Sequence, residues 1–209
     1  MRTAYHQALE NSRLDVVRLG ALVSDAIRTA TQALERRDVV LAGRVVAGDD
    51  EVDDMRRHVE ATCIELIWKQ QPVAGDLRAI AGMLQIVTDL ERIGDYAVDI
   101  GKNAIKLADV AVRPASVEIG RIASLAYEMV IDVMRAYSKG DSQLADAVIE
   151  HDDEVDALYR SSLEALQGEM QRDPGTVPAG TLLLFVVSII ERVGDRAQNI
   201  AWHTKEIYG

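Results

Sequence analysis

The pentapeptide Asp49-Asp50-Glu51-Val52-Asp53 returns unchanged 103 positions later as Asp152-Asp153-Glu154-Val155-Asp156. Glu91-Arg92-Ile93-Gly94-Asp95 returns 100 positions later, and in the same order, as Glu191-Arg192-Val193-Gly194-Asp195. An ordered recurrence of two motifs is the mark of an internal duplication, so each half of the chain must build the same small structure. At 209 residues, the division predicted is 1–112 and 113–209.

Long segments carry helical periodicity, proline and glycine are sparse, and almost nothing alternates as a strand would. The pattern predicts an all-α chain. A first helix is expected over about 3–37, with Leu14, Val17, Leu22 and Ala26 on its apolar side. A second runs from an Asp38 cap to about Gln70, and a third from an Asp76 cap to about Ala108. Pro114 separates the halves, and the second half repeats the plan over about 116–137, 141–172 and 178–207. The second half is three residues shorter between its two motifs. That difference is tolerable in the connection around 71–75, whereas inside a helix it would rotate one motif by about 300°. Two tandem, pseudo-symmetric three-helix bundles follow.

Acidic residues number 34 against 23 basic ones, a formal charge of −11. A nucleic-acid binder needs a basic face, so that class is excluded. The single cysteine, Cys63, excludes an internal disulfide framework and a thiolate zinc site, and its place in an apolar helical stripe predicts a core residue. No charged-then-apolar leader stands at the N-terminus, and the apolar run 182–190 is too short to span a bilayer. A soluble, intracellular protein is expected. Trp68 and Trp202 are expected to anchor packing near helix ends or to mark a partner surface.

The duplicated residues are mostly acidic, and their spacing is informative. Residues four apart on a helix stand one above the other, so Asp49 with Asp53, Glu91 with Asp95, Asp152 with Asp156 and Glu191 with Asp195 each project as a pair. Like charges so placed oppose the helix by roughly 0.2–0.5 kcal/mol per pair. A charge run is usually a solvated face, but four pairs in one repeated order suggest that a multivalent cation offsets the repulsion. On the third helix Leu84, Val87, Gly94, Val98 and Gly101 fall on one side and Ile86, Leu90, Ile93 and Ile100 on another. Gly94, Ala97 and Gly101 would let a neighbouring backbone come close.

The stretches Asp76-Leu77-Arg78-Ala79-Ile80, 88–97 and 190–200, together with the fourfold acid-x-x-x-Asp pattern, resemble the PhoU family of phosphate-signalling proteins over nearly the full length. The resemblance implies tandem three-helix bundles, a cytoplasmic location, frequent homodimers and no enzymatic activity. It also implies metal clusters, iron or zinc above all with magnesium or manganese as further options. The ligands would be Asp49, Asp53, Glu91 and Asp95 in the first half and Asp152, Asp156, Glu191 and Asp195 in the second. The partners implied are a phosphate ABC transporter and a membrane sensor histidine kinase, which gives only an indirect link to the membrane. The chain departs from a common family pattern at Arg196, where a histidine is often found, and a positive charge is expected beside the second site.

A carboxylate-bridged di-metal oxidase or storage bundle is the alternative from another class. Such bundles pair glutamates with Glu-x-x-His, and none of His6, His58, His151 and His203 has a glutamate three positions before it. A phosphate-cradling Gly-x-x-x-x-Gly-Lys-Ser/Thr loop is likewise missing from the sequence.

Overall fold

In a computed structural model, residues 2–111 and 119–209 are described, with side chains from Tyr5 onward. The helices are α1 (Arg2–Arg36), α2 (Val39–Ala47), α3 (Asp49–Gln70), α4 (Gly75–Ala108), α5 (Ile119–Lys139), α6 (Ser142–Arg172) and α7 (Val177–Tyr208), with a 3-10 turn at Pro174–Thr176. The expected boundary at 112/113, and Pro114, lie outside the described residues. The molecule is two tandem helical bundles, α1 to α4 and α5 to α7.

Local chemistry explains most helix ends. The Asp38 carboxylate accepts the backbone N–H of Leu41 at 2.9 Å, and Asp141 accepts that of Leu144 at 3.0 Å. The residue before each cap turns the chain with a positive φ, Arg37 at 53° and Gly140 at 65°. The equivalence of 37 with 140 extends the 103-residue offset back to the α1 and α5 ends. Two expectations are corrected. Asp76 does not cap α4; it lies in the first turn, and Ala74 takes the cap position with φ 48° and no side-chain bond. The second helix is interrupted at Gly48, whose N–H reaches the carbonyls of Arg44 and Val45. Its counterpart in the second half is His151, and there α6 runs unbroken.

A continuous apolar core runs through both bundles. Helix α4 packs on α1, α2, α3 and α7, while α7 packs on α4, α5 and α6, and α1 also meets α5. That central position explains why α4 buries both of its expected stripes, including Val87, Val98, Ile86, Leu90, Ile93 and Ile100. The apolar side of α1 is Val16, Leu19, Val23, Ile27 and Ala30, whereas the expected Leu14 is exposed. The expectation followed a different helical row, and contact with α2, α3, α4 and α5 decided which row turned inward. Cys63 is fully buried, as its stripe predicted. Trp68 and Trp202 are 77% and 50% exposed, so neither anchors the core. The segment Pro174–Tyr208 is long and apolar enough to cross a bilayer by composition. In the fold Leu183, Val186, Val187, Ile190 and Val193 of this segment are buried in the core, while Val177, Phe185 and Trp202 are exposed.

Candidate functional site

The two acidic motifs of each half lie on neighbouring antiparallel helices, α3 beside α4 and α6 beside α7. Glycine sets their separation. A Cβ on Gly94 would come within 2.9 Å of Val52 Cγ1, and one on Gly194 would lie 3.3 Å from both Asp152 Oδ1 and Val155 Cγ1. Any larger residue would push the acidic helices apart. All eight predicted carboxylates are half-buried along these grooves, while the intervening Asp50, Glu51, Asp153 and Glu154 face solvent.

The carboxylates of each half sense one another. Burial first, then Asp95 and Asp53, raises Asp49 above the ordinary range. Glu91 is raised by burial and then by Asp95, with Arg92 and Arg56 opposing. In the second half burial, then Asp195, Asp156 and Asp153, pushes Asp152 up to about 6. Burial and then Asp195, Asp156 and Asp152 raise Glu191, with Arg192 opposing. Burial and then Asp156 raise Asp195, with Arg196 and Arg192 opposing. In each half, neighbouring carboxylates thus add to burial in disfavouring ionisation of Asp49 and Glu91, or of Asp152, Glu191 and Asp195.

The side chains do not close into a finished cage. Among the described residues no three acidic, histidine or cysteine side chains converge on one ion position. Several turn to flanking arginines instead: Asp53 to Arg57 at 3.3 Å, Glu91 to Arg92 at 3.6 Å, Asp95 to Arg92 at 3.1 Å and Asp156 to Arg160 at 3.2 Å. These pairs are exposed and worth little. The donor set is all oxygen and its members repel, which fits a hard or borderline cation drawing them in. His151 is exposed beside Asp152.

The halves are not identical. Gln198 Nε2 donates to Asp152 Oδ2 at 2.7 Å, whereas its counterpart beside Asp49 is Val98. Arg196, expected beside the second site, is near enough for its charge to lower the pKa of Asp195, and it sends Nη1 to Asp89 Oδ1 of α4 at 3.1 Å. Asp89 is only 9% exposed and also bonds Asn199, with His203 Nε2 3.8 Å away. Tyr96 bonds the same guanidinium. Sequence reasoning missed this cluster. The available signal was a charged residue in the buried row of Ile86, Leu90 and Ile93, where the other half carries Ile189.

Asp152 gives a pH prediction. Its folded value lies above the reference of 3.8, so its contribution to stability is complete below that pH and lost as pH rises through about 6. In metal-free protein, Asp152→Asn is expected to raise the unfolding free energy at pH 7.5 by about 1 kcal/mol, after allowing for solvent screening, and to change nothing at pH 3.5. Urea denaturation at the two pH values checks this, and an equal effect at both would refute it.

A family model of the PhoU domain matches residues 16–104 and 119–203. The chain is similar to the phosphate-specific transport system accessory protein PhoU homolog of Aquifex aeolicus, 39% identical over 88% of this chain and 83% of that one. It is 38% identical to the homolog from Caulobacter vibrioides over 95% of this chain and 86% of that one. Among solved structures, PhoU from Pseudomonas aeruginosa superposes with a TM-score of 0.93 at 33% identity, covering 96% of each chain. The phosphate transport system regulatory protein PhoU from Streptococcus pneumoniae superposes at 0.88 with 24% identity, over 96% of this chain and 94% of that one, and so supports the fold alone.

Proposed function

The chain belongs to the PhoU family, and we propose that it is a negative regulator of phosphate uptake and of phosphate-starvation signalling. In this reading it is a non-catalytic, cytoplasmic adaptor, dimeric in the cell, standing between a phosphate ABC transporter and its sensor histidine kinase. The observation that carries the transport role is similarity to phosphate-transport accessory proteins over most of the chain.

Metal binding is the second part of the proposal. Asp49, Asp53, Glu91 and Asp95 would hold ions in the first half, and Asp152, Asp156, Glu191 and Asp195 in the second. What supports it is the grouping of half-buried carboxylates that raise one another's pKa. A bound cation would neutralise the repulsion between adjacent helices and leave open coordination positions for a partner's acidic or phosphorylated group. The chain's own part is to hold those oxygens on two rigid helices separated by a glycine contact. Iron fits an oxygen donor set more readily than zinc, which usually recruits nitrogen or sulfur.

Deleting the gene tests the regulatory role. Expression of phosphate-starvation genes is expected to rise in phosphate-rich medium and to return to the repressed level when the gene is restored. Expression that stays repressed after deletion would overturn the assignment.

A further inference from the structure

The duplication gives the molecule an internal control, because every feature of one half can be compared with its counterpart in the other. One feature of the first half can be compared with its counterpart positions residue by residue. Between α1, α2, α3 and α4 lies a cavity of about 370 Å³. It is partly open to solvent, with an apolar wall of Leu22, Ala26, Leu41, Val45, Val52 and Val98 and a polar side of Asp25, Thr29, Arg44, Asp49 and Glu51. For scale, an apolar cavity of about 150 Å³ holds a benzene molecule.

Six lining positions differ in the second half; Asp25, Thr29 and Arg44 correspond to Glu128, Asp132 and the shorter Ala147, and the other three bear on the apolar wall. Ala26 corresponds to Met129, which is fully buried and brings its sulfur to 3.7 Å from where a Cβ on Gly194 would stand. Val98 corresponds to Gln198, whose amide spans Asp152 at 2.7 Å and the Ile149 carbonyl at 3.5 Å. Gly48, at which the first half breaks its helix, corresponds to His151 in an uninterrupted α6. Met129 and Gln198 thus occupy in one half two positions that border open space in the other. Close packing is the rule for interiors, and an open apolar space of this size fits a ligand.

The rim specifies the ligand's charge. Asp25, Asp49 and Glu51 line it against Arg44, while Arg28 pairs with Asp25. Asp95 and Asp53 stand behind Asp49, with Lys102 opposing them and Asp50 adding to them. The N-terminus of α3 opens here too, but Asp49, Asp50 and Glu51 in its first turn outweigh the partial positive charge of a helix start. A cationic group is favoured at this mouth and an anion is opposed.

We propose that this cavity is a binding site for a small amphipathic amine, an apolar body seated on Leu22, Ala26, Val45 and Val98 with its ammonium group at the acidic rim. The site shares Asp49 with the proposed metal ligands, so a bound ion would compete with the ammonium and the amine is favoured in metal-free protein.

The test is calorimetric titration of chelator-treated full-length protein with 2-(1-naphthyl)ethylamine, and with 1-naphthaleneacetate as a probe of similar bulk and opposite charge. Chelation makes the outcome independent of metal binding. The amine is expected to bind saturably and at least about tenfold more tightly than the acid. A26M and V98Q, which install the second half's own residues, are each expected to weaken the amine by about tenfold or more. Circular dichroism checks their folding; should A26M unfold, V98Q and the wild-type comparison of amine with acid still decide. No saturable amine binding, equal binding of the acid, or unaltered affinity in folded variants would each overturn the proposal.

Discussion

Arg196→Ala is expected to be among the most destabilising single changes in the chain, lowering the unfolding free energy by about 2–3 kcal/mol at neutral pH. Breaking a buried ion pair from one side costs about 3–5 kcal/mol, because the charge left behind has neither partner nor water. Asp89 meets that description at 9% exposure, while Arg196 is 37% exposed, which places the effect toward the lower end. Burial already raises Asp89 even with Arg196, His203 and Asn199 lowering it. Without the guanidinium it rises further, so the penalty is complete above that raised value and shrinks as pH falls through it toward 3.8. Replacing both partners, Asp89→Leu with Arg196→Ala, is expected to restore most of the loss. Urea denaturation of the three variants measures this. A single variant within about 0.5 kcal/mol of wild type would show the pair to be ordinary surface charge.

The second large effect concerns metal. Protein isolated without chelator or a nickel column is expected to carry at least about one multivalent ion per chain. Glu91→Gln with Asp95→Asn is expected to remove the first half's share, and adding Glu191→Gln with Asp195→Asn to remove nearly all of it. Elemental analysis by mass spectrometry is the readout. Loaded protein should also gain stability over chelated protein, by about 2.7 kcal/mol at a free ion concentration a hundred times the dissociation constant. An unchanged metal content in the fourfold variant would remove these carboxylates from consideration as ligands.

Periodicity and punctuation made the helices legible, because Asp38, Asp141 and the proline- and glycine-containing connections act locally. The neighbourhood of the acidic pairs was legible for a related reason: spacing by four fixes a helix face, and Gly94 and Gly194 announce a close neighbour. What spacing could not give was side-chain direction. Whether Asp53 reaches across to Asp95 or back to Arg57 depends on local charge and rotamer, not on register. Arg196 does place its charge within reach of Asp195, but its hydrogen bond is made elsewhere, because one step round a helix is about 100°. That turn carries it across the seam to Asp89. The apolar row of α1 was misread for a tertiary reason, since α2, α3, α4 and α5 together select which side of it is buried.

Helix α4 lies against α7 and α1 against α5, so the main contacts between the bundles join elements to their own duplicates. Pairing of like with like is how a two-fold axis works in an isologous dimer. A lone ancestral repeat would have left that greasy flank bare to water, and association with an identical copy is the simplest way to cover it. Fusion of two such genes would then tether the subunits permanently and free each to diverge. Asp89 and Arg196 are a product of that freedom: their counterparts are Ile189 and Tyr96, so a contact that symmetry would once have made twice now carries its ion pair only once.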